Sequence, residues 1–397
     1  RMGIKQLMKL IDEYAPEAYK AEEKDNYLGR TIAIDASMQL YAFMVQIRSS
    51  NGGGPAQQLT NEAGDVTSHI NGFFFRTINL LKKGITPVFV FDGKPPEIKR
   101  QELAKRSEIK AKAKTDAEEA KERIKEADNE EAKAEAIADA EKAEKRNIKV
   151  TKQDNEDIQT LLKLMGLPIV VAPSEAEAQC VELVKKGKAF AVATEDMDAL
   201  TFGAPIMLRK LTAAEGLKEK VLEIHLDRVL KDMNLTMEQF IDLCILCGCD
   251  YCPTIKGIGS KTAMKLIKEH GTLEKAVASL DKKKYQVPEA MLELLDDIRN
   301  TFKMPEVTDG STYDLKRSPP DEEGLIKFMV EQKGFNEERI RNGIKNLIGS
   351  KDKVAQKRLD CFFKVKEGSS GGFKRKPADK KSKGAKRGRG RGRGGRR

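Results

Sequence analysis

A chain of 397 residues is long enough for one large or two ordinary domains with sizeable cores. No run of about 18 apolar residues occurs, no charged-then-apolar leader opens the chain, and Met2-Gly3 lacks the later Ser or Thr of a myristoylation signal, so we expect a soluble cytosolic or nuclear protein without a membrane partner. Of the net charge of +11, residues 364–397 carry +13 (fifteen Lys or Arg against two acids), which leaves −2 for the rest and excludes a uniformly basic body.

In chain order, four short β-branched or aromatic runs end in acids. Residues 31–35 close on Asp35, 87–92 on Asp92, and 189–196 on Asp196, while 168–172 runs into Glu175 and Glu177. Helix-period segments at 70–82 and 155–165 lie between them, which predicts an α/β fold with a mostly parallel central sheet flanked by helices. In open parallel sheets ligands sit beyond the carboxyl ends of the strands, so acids recurring there converge on one edge. From 99 to 146 the chain is dominated by Ala, Lys and Glu, with no Pro or Gly. Such a stretch forms one or two solvated helices that bury little core. Its place directly after Asp92 also makes it a candidate substrate gate. A capping box at Thr236 and Gln239 opens a helix that runs to Gly248. Gly257 and Gly259 then precede a helix over 261–268, whose N-terminal amides suit a phosphate, although a plain helix start explains the pattern about as often. After about residue 348, Gly, Ser, Lys and Arg-Gly repeats predict disorder.

Seven acids stand at element ends: Asp35, Asp92, Glu175, Glu177, Asp196, Asp198 and Asp250. Hard oxygen ligands in that number suit Mg²⁺, with Mn²⁺ as a substitute, and two such ions activate a water and stabilise both oxygens of an in-line phosphodiester displacement. Each acid has a structural alternative: Ser174 with Glu177 reads as a capping box, Glu175 as a first-turn acid that favours the helix dipole, Asp35 and Asp92 as N-caps or turn residues, Asp196 and Asp198 as a solvated loop. The coincidence favours a metal site, because so many carboxylates at one edge repel one another without cations. The six cysteines are Cys180, Cys244, Cys247, Cys249, Cys252 and Cys361. They form no regular disulfide framework, and the crowded four lack the long separation of paired zinc ligands, so free thiols and small buried hydrophobes are expected.

Met2-Gly-Ile-Lys, Ile34-Asp-Ala-Ser-Met, Val90-Phe-Asp-Gly-Lys-Pro-Pro, Pro173-Ser-Glu-Ala-Glu-Ala, Ala193-Thr-Glu-Asp-Met-Asp, Cys249-Asp-Tyr-Cys and Gly257-Ile-Gly together resemble the flap endonucleases, nearly from end to end. The resemblance implies a nuclease core over 2–108, 151–270 and 271–350, a helical arch over 99–150, a helix-two-turn-helix module, and a disordered basic tail over 351–397. It implies a 5′-flap endonuclease with 5′-3′ exonuclease activity, acting as a monomer on branched DNA in replication and long-patch base excision repair. By the same resemblance the seven acids would bind two Mg²⁺, Lys99 and Arg106 would engage the scissile phosphate, and Tyr41 would stack on a nucleotide. It implies DNA contacts at Arg48, Arg76, Gly248, Gly257, Gly259 and Lys261, and at Glu175 and Asp250 of the acidic set. Residues 356–363 resemble a sliding-clamp box with Gln356, Leu359, Phe362 and Phe363 as anchors. The implied location is the nucleus, nucleolus and nucleoplasm, with a mitochondrial pool left open. Arg1 before Met2, the segment 51–62, the long arch around 128–142, and Cys247 and Cys249 in place of the usual Leu and Ser depart from the family pattern. The rival expectations are another nuclease of the superfamily and a nucleic-acid-binding protein driven by its tail.

Overall fold

The computed structural model describes residues 3–47, 67–126, 129–146, 150–213 and 219–350. Seven strands form one sheet: β1 (Tyr19–Glu22), β2 (Thr31–Asp35), β3 (Thr86–Phe91), β4 (Ile169–Val171), β5 (Ala191–Ala193), β6 (Ile206–Arg209) and β7 (Val221–His225). Their order is β1-β7-β6-β5-β2-β3-β4. The five strands from β6 to β4 are parallel, and β7 and β1 add an antiparallel edge. The central strands are apolar along their length because helices cover both faces, as parallel crossovers require. In β2 every residue after Thr31 is buried.

One face packs against α1 (Leu7–Tyr14), α7 (Ala176–Lys185), α9 (Leu226–Met233), α10 (Met237–Cys247) and α11 (Ser260–His270). The other packs against α2 (Ala36–Ile47), α3 (Ser68–Lys82), α6 (Lys152–Leu164) and α16 (Glu337–Gly349). Between β3 and α6 rise α4 (Arg100–Glu126) and α5 (Glu130–Arg146), and the short α8 (Asp198–Thr201) follows β5. Smaller helices α12 (Leu273–Ala278), α13 (Glu289–Glu293), α14 (Leu295–Lys303) and α15 (Glu322–Ile326) complete the body.

The chain starts outward from β2 to β3 and β4, then returns to place β5 on the other side of β2. That reversal opens a crevice at the carboxyl ends of β2 and β5, where ligands bind in sheets of this kind. Ile34 lies level with Phe89 on one side and Ala193 on the other, so all three strands deliver their following residues to the same height.

Candidate active site

Hydrogen bonds, some local and some long-range, explain the place of Asp35, Asp92, Asp196 and Asp198. Asp35 ends β2 and starts α2: its Oδ1 accepts the Met38 N–H at 2.8 Å, and its Oδ2 accepts the Thr194 hydroxyl at 2.9 Å across the reversal. The N-cap reading of Asp35 and the site reading therefore hold together. Asp92 follows β3, donates its N–H to Ser37 Oγ at 3.1 Å, and accepts the Ala176 N–H through Oδ1 at 2.9 Å. That last bond corrects the expected capping box. The N-cap of α7 is Glu175, not Ser174, and no side chain of its own segment caps it, because the tertiary carboxylate of Asp92 already takes the first helical N–H. Both Glu175 and Glu177 are then free of capping duty. Asp196 Oδ1 accepts the Asp198 N–H at 2.9 Å, and Asp198 Oδ1 accepts the Ile4 N–H at 2.8 Å.

Six of the seven acids, all except Asp198, line one cavity of about 390 Å³ together with Tyr41, Lys99 and Arg106. Asp198 sits behind it against the N-terminal segment. The cations come from the first turns of the 99–146 segment, seven residues and about two helical turns apart, and both face the acids. Lys99 Nζ pairs with Glu175 and lies 3.3 Å from Asp250 Oδ2, while Arg106 Nη2 lies 2.6 Å from Asp250 Oδ1. Burial alone lowers the Lys99 pKa, but Glu175, Glu177 and Asp250 outweigh it and hold the ammonium charged. Burial, followed by repulsion from Asp92, pushes Asp35 up to about 8. Burial also raises Glu177, Asp196 and Asp198, with neighbouring carboxylates adding to the shift at each.

Among the described residues no three of these side chains stand in a ready-made cation cage. The donor chemistry nevertheless fits a hard divalent ion. Several buried carboxylates repel one another, and among the seven acids Lys99 and Arg106 pair directly with Glu175 and Asp250.

The other expected contacts fall into three groups. Tyr41 is at the cavity, whereas Arg76 is half-buried, with its guanidinium 4.0 Å from the Phe43 ring centre and Nη1 bonded to Thr212 O at 2.9 Å. Gly248 caps α10 with φ +108 and accepts the Lys5 N–H through its carbonyl, Gly257 turns at φ +89, and Gly259 is the N-cap of α11 with open space where a Cβ would stand. Lys261, on the first turn of α11, is exposed and 2.8 Å from Glu13. Arg48 and the box residues Gln356, Leu359, Phe362 and Phe363 lie outside the described residues.

Three contributors carried no assigned role in the sequence. Thr194 ties Asp35 and Asp196 together through one hydroxyl. Tyr251, 3% exposed, donates its hydroxyl to Glu175, opposite Lys99. Gly3 approaches so closely that a Cβ there would lie 1.9 Å from Asp196 Oδ1. All three sit inside the matched motifs, and only their distance to partners far along the chain reveals them.

Residues 2–113 match the XPG N-terminal domain and residues 166–250 the XPG I-region. The chain is 49% identical over 385 residues to Flap endonuclease 1-A of Sorghum bicolor, covering 97% of each. Among solved structures, flap endonuclease-1 from Methanococcus jannaschii is 35% identical with a TM-score of 0.63, over 86% of this chain and 98% of that one. The catalytic core of Rad2 in complex with DNA substrate is 25% identical with a TM-score of 0.65, over 87% of this chain and 100% of that one.

Proposed function

This chain belongs to the flap endonuclease family, and on that premise we propose that it is a structure-specific nuclease that hydrolyses a phosphodiester at the base of a 5′ single-stranded flap, with 5′-3′ exonuclease action at nicks. The observation that carries the reading is the convergence of six carboxylates from strand ends, loops and the first turn of α7 on one cavity that Lys99 and Arg106 enter from the arch. Asp35, Asp92, Glu175, Glu177, Asp196, Asp198 and Asp250 would hold Mg²⁺, in our reading two ions, with Mn²⁺ as a substitute. Bound there, divalent cations supply an activated water and charge stabilisation for the phosphodiester oxygens. Lys99 and Arg106 exchange their carboxylate partners for the scissile phosphate and counter the charge that develops on it. Tyr41 stacks on the adjacent nucleotide at the cavity mouth. The amides at Gly257 and Gly259 and the start of α11 grip a duplex phosphate without reading a base, which suits an enzyme that recognises branch shape. A free 5′ end passes beneath the arch before the cut.

Incubating the purified chain with labelled double-flap, nicked and hairpin DNAs, with and without Mg²⁺, tests the proposal. Incision at the flap base that needs Mg²⁺ is expected; DNA binding without such incision returns the chain to a non-catalytic nucleic-acid-binding protein. We further propose that the enzyme acts as a monomer in the nucleus, in replication and long-patch repair, and that residues 356–363 dock on a sliding clamp. Phe362→Ala with Phe363→Ala should remove clamp stimulation and spare intrinsic cleavage, and unchanged clamp affinity would refute the docking.

A further inference from the structure

Asp250 and Tyr251 organise one wall of the cavity, and a cysteine stands on each side of them in sequence. Cys249 is buried and Cys252 is partly exposed. Their Sγ atoms lie 3.9 Å apart. A disulfide requires a separation of about 2.05 Å. The two sulfurs are thus about 2 Å from bonding, a gap that side-chain rotation and a small turn adjustment can close. Cys180, Cys244 and Cys247 are buried and out of reach of a reagent from solvent.

We propose that Cys249 and Cys252 are a modification site at which a small hydroperoxide converts the dithiol to an intramolecular disulfide. The Cys252 sulfur, the accessible one, attacks a peroxide oxygen. The O–O bond breaks, and the departing hydroxide takes the thiol proton and leaves as water (an alcohol for an organic peroxide). The Cys252 sulfenic acid that remains is attacked by the Cys249 sulfur; the S–S bond forms, the S–O bond breaks, and the second water carries away the Cys249 proton. Two electrons pass from the sulfur pair to the peroxide, and a dithiol reductant reverses the change.

The consequence for the site follows from what the two bracketed residues hold. The Asp250 carboxylate meets Arg106 at 2.6 Å and Lys99 at 3.3 Å, and the Tyr251 hydroxyl donates to Glu175. Drawing the sulfurs together re-aims both side chains, and cleavage falls. The activity readout rests on the nuclease reading; the disulfide does not.

The full chain is treated with graded hydrogen peroxide, quenched with N-ethylmaleimide, digested and mapped by mass spectrometry. Parallel samples are assayed on flap DNA before oxidation, after it, and after dithiothreitol. The expected result is a linked 249–252 peptide that accumulates in step with at least a tenfold loss of cleavage, restored by dithiothreitol. Cys249→Ser enzyme should form no linked peptide and show no dithiothreitol-reversible loss. Alkylation of both thiols at inactivating doses, a linked peptide with unchanged cleavage, or the same reversible loss in Cys249→Ser would each overturn the proposal. A chain inactive before oxidation would overturn the nuclease reading, while the peptide map would still decide the disulfide.

Discussion

In the proposed function the arch and the α10–α11 module both serve nucleic acid, yet they are built on opposite principles. In α10 the eight residues Phe240 to Cys247 are all buried, a capping box at Thr236 and Gln239 fixes its start, and Arg299 satisfies the buried Asp242 from two sides. In the arch the buried residues are alanines: Ala113, Ala117 and Ala120 on α4 face Ala136, Ala140 and Ala143 on α5. Six buried methyls contribute about 5 kcal/mol at ~0.8 kcal/mol each. Ordering the backbone costs about 1–2 kcal/mol per residue, so helix propensity and internal hydrogen bonds must hold the arch together. It can therefore loosen without disturbing the core, whereas the module cannot. Charge divides the arch too. Residues 100–114 hold six Lys or Arg against two acids, and 115–126 hold three against five. A phosphate strand is attracted to the base of the arch and repelled by its distal part. The difference teaches that the α10–α11 module is rigidly preformed and the arch is adjustable, the two meeting where Lys99 and Arg106 reach Asp250; the proposed function uses the first as duplex grip and the second as gate.

Breaking that meeting point should have the largest effect. Asp250→Asn removes a cavity carboxylate and the charge partner of both cations, and we expect single-turnover cleavage to fall at least about 10⁴-fold, ~5.5 kcal/mol of barrier. Flap affinity measured by anisotropy should persist, because the Gly257–Gly259 turn and the start of α11 keep their geometry; an unchanged rate would remove Asp250 from the chemistry. Next comes stability. Phe240→Ala should cost about 3–5 kcal/mol in urea unfolding, whereas Ala117→Gly should cost about 1 kcal/mol and leave the main transition in place. Equal losses would mean that the arch is part of the core. Arg106→Ala should lower kcat by about 10²-fold or more with little change in KM, as for a group that acts on developing charge. A purely attractive surface cation would shift both slightly, and only at low salt.

The smallest expected effect is a pH dependence of cation stabilisation. Folding raises Asp35 from 3.8 to about 8. Its contribution to stability is present below the unfolded value and is lost as pH rises through about 8. Glu177, Asp196 and Asp198 shift in the same direction. Mg²⁺ binds the ionised carboxylates and offsets that loss, so millimolar Mg²⁺ should raise Tm by a few degrees more at pH 8 than at pH 6. Equal increments at both pH values would place the cation away from these acids.

Much of this molecule is determined locally and was legible in the chain. Runs such as 31–35 and 87–92 are strands because a buried parallel strand needs unbroken apolar sequence, and the acids after them mark where the strands end. The alanine-rich arch and the capping box at Thr236 follow from propensity and short-range hydrogen bonding. The fold decided what depends on partners distant in sequence. Ser174 and Glu177 fit a capping box by spacing, but Asp92, 84 residues away, takes the Ala176 N–H instead. Gly3 carries no local signal for its approach to Asp196, nor Tyr251 for its bond to Glu175. Spacing along the chain encodes contacts within a turn or a strand. The direction in which Lys99 and Arg106 point, into the acids rather than into solvent, is set by the packing that brings Glu175 and Asp250 beneath the arch.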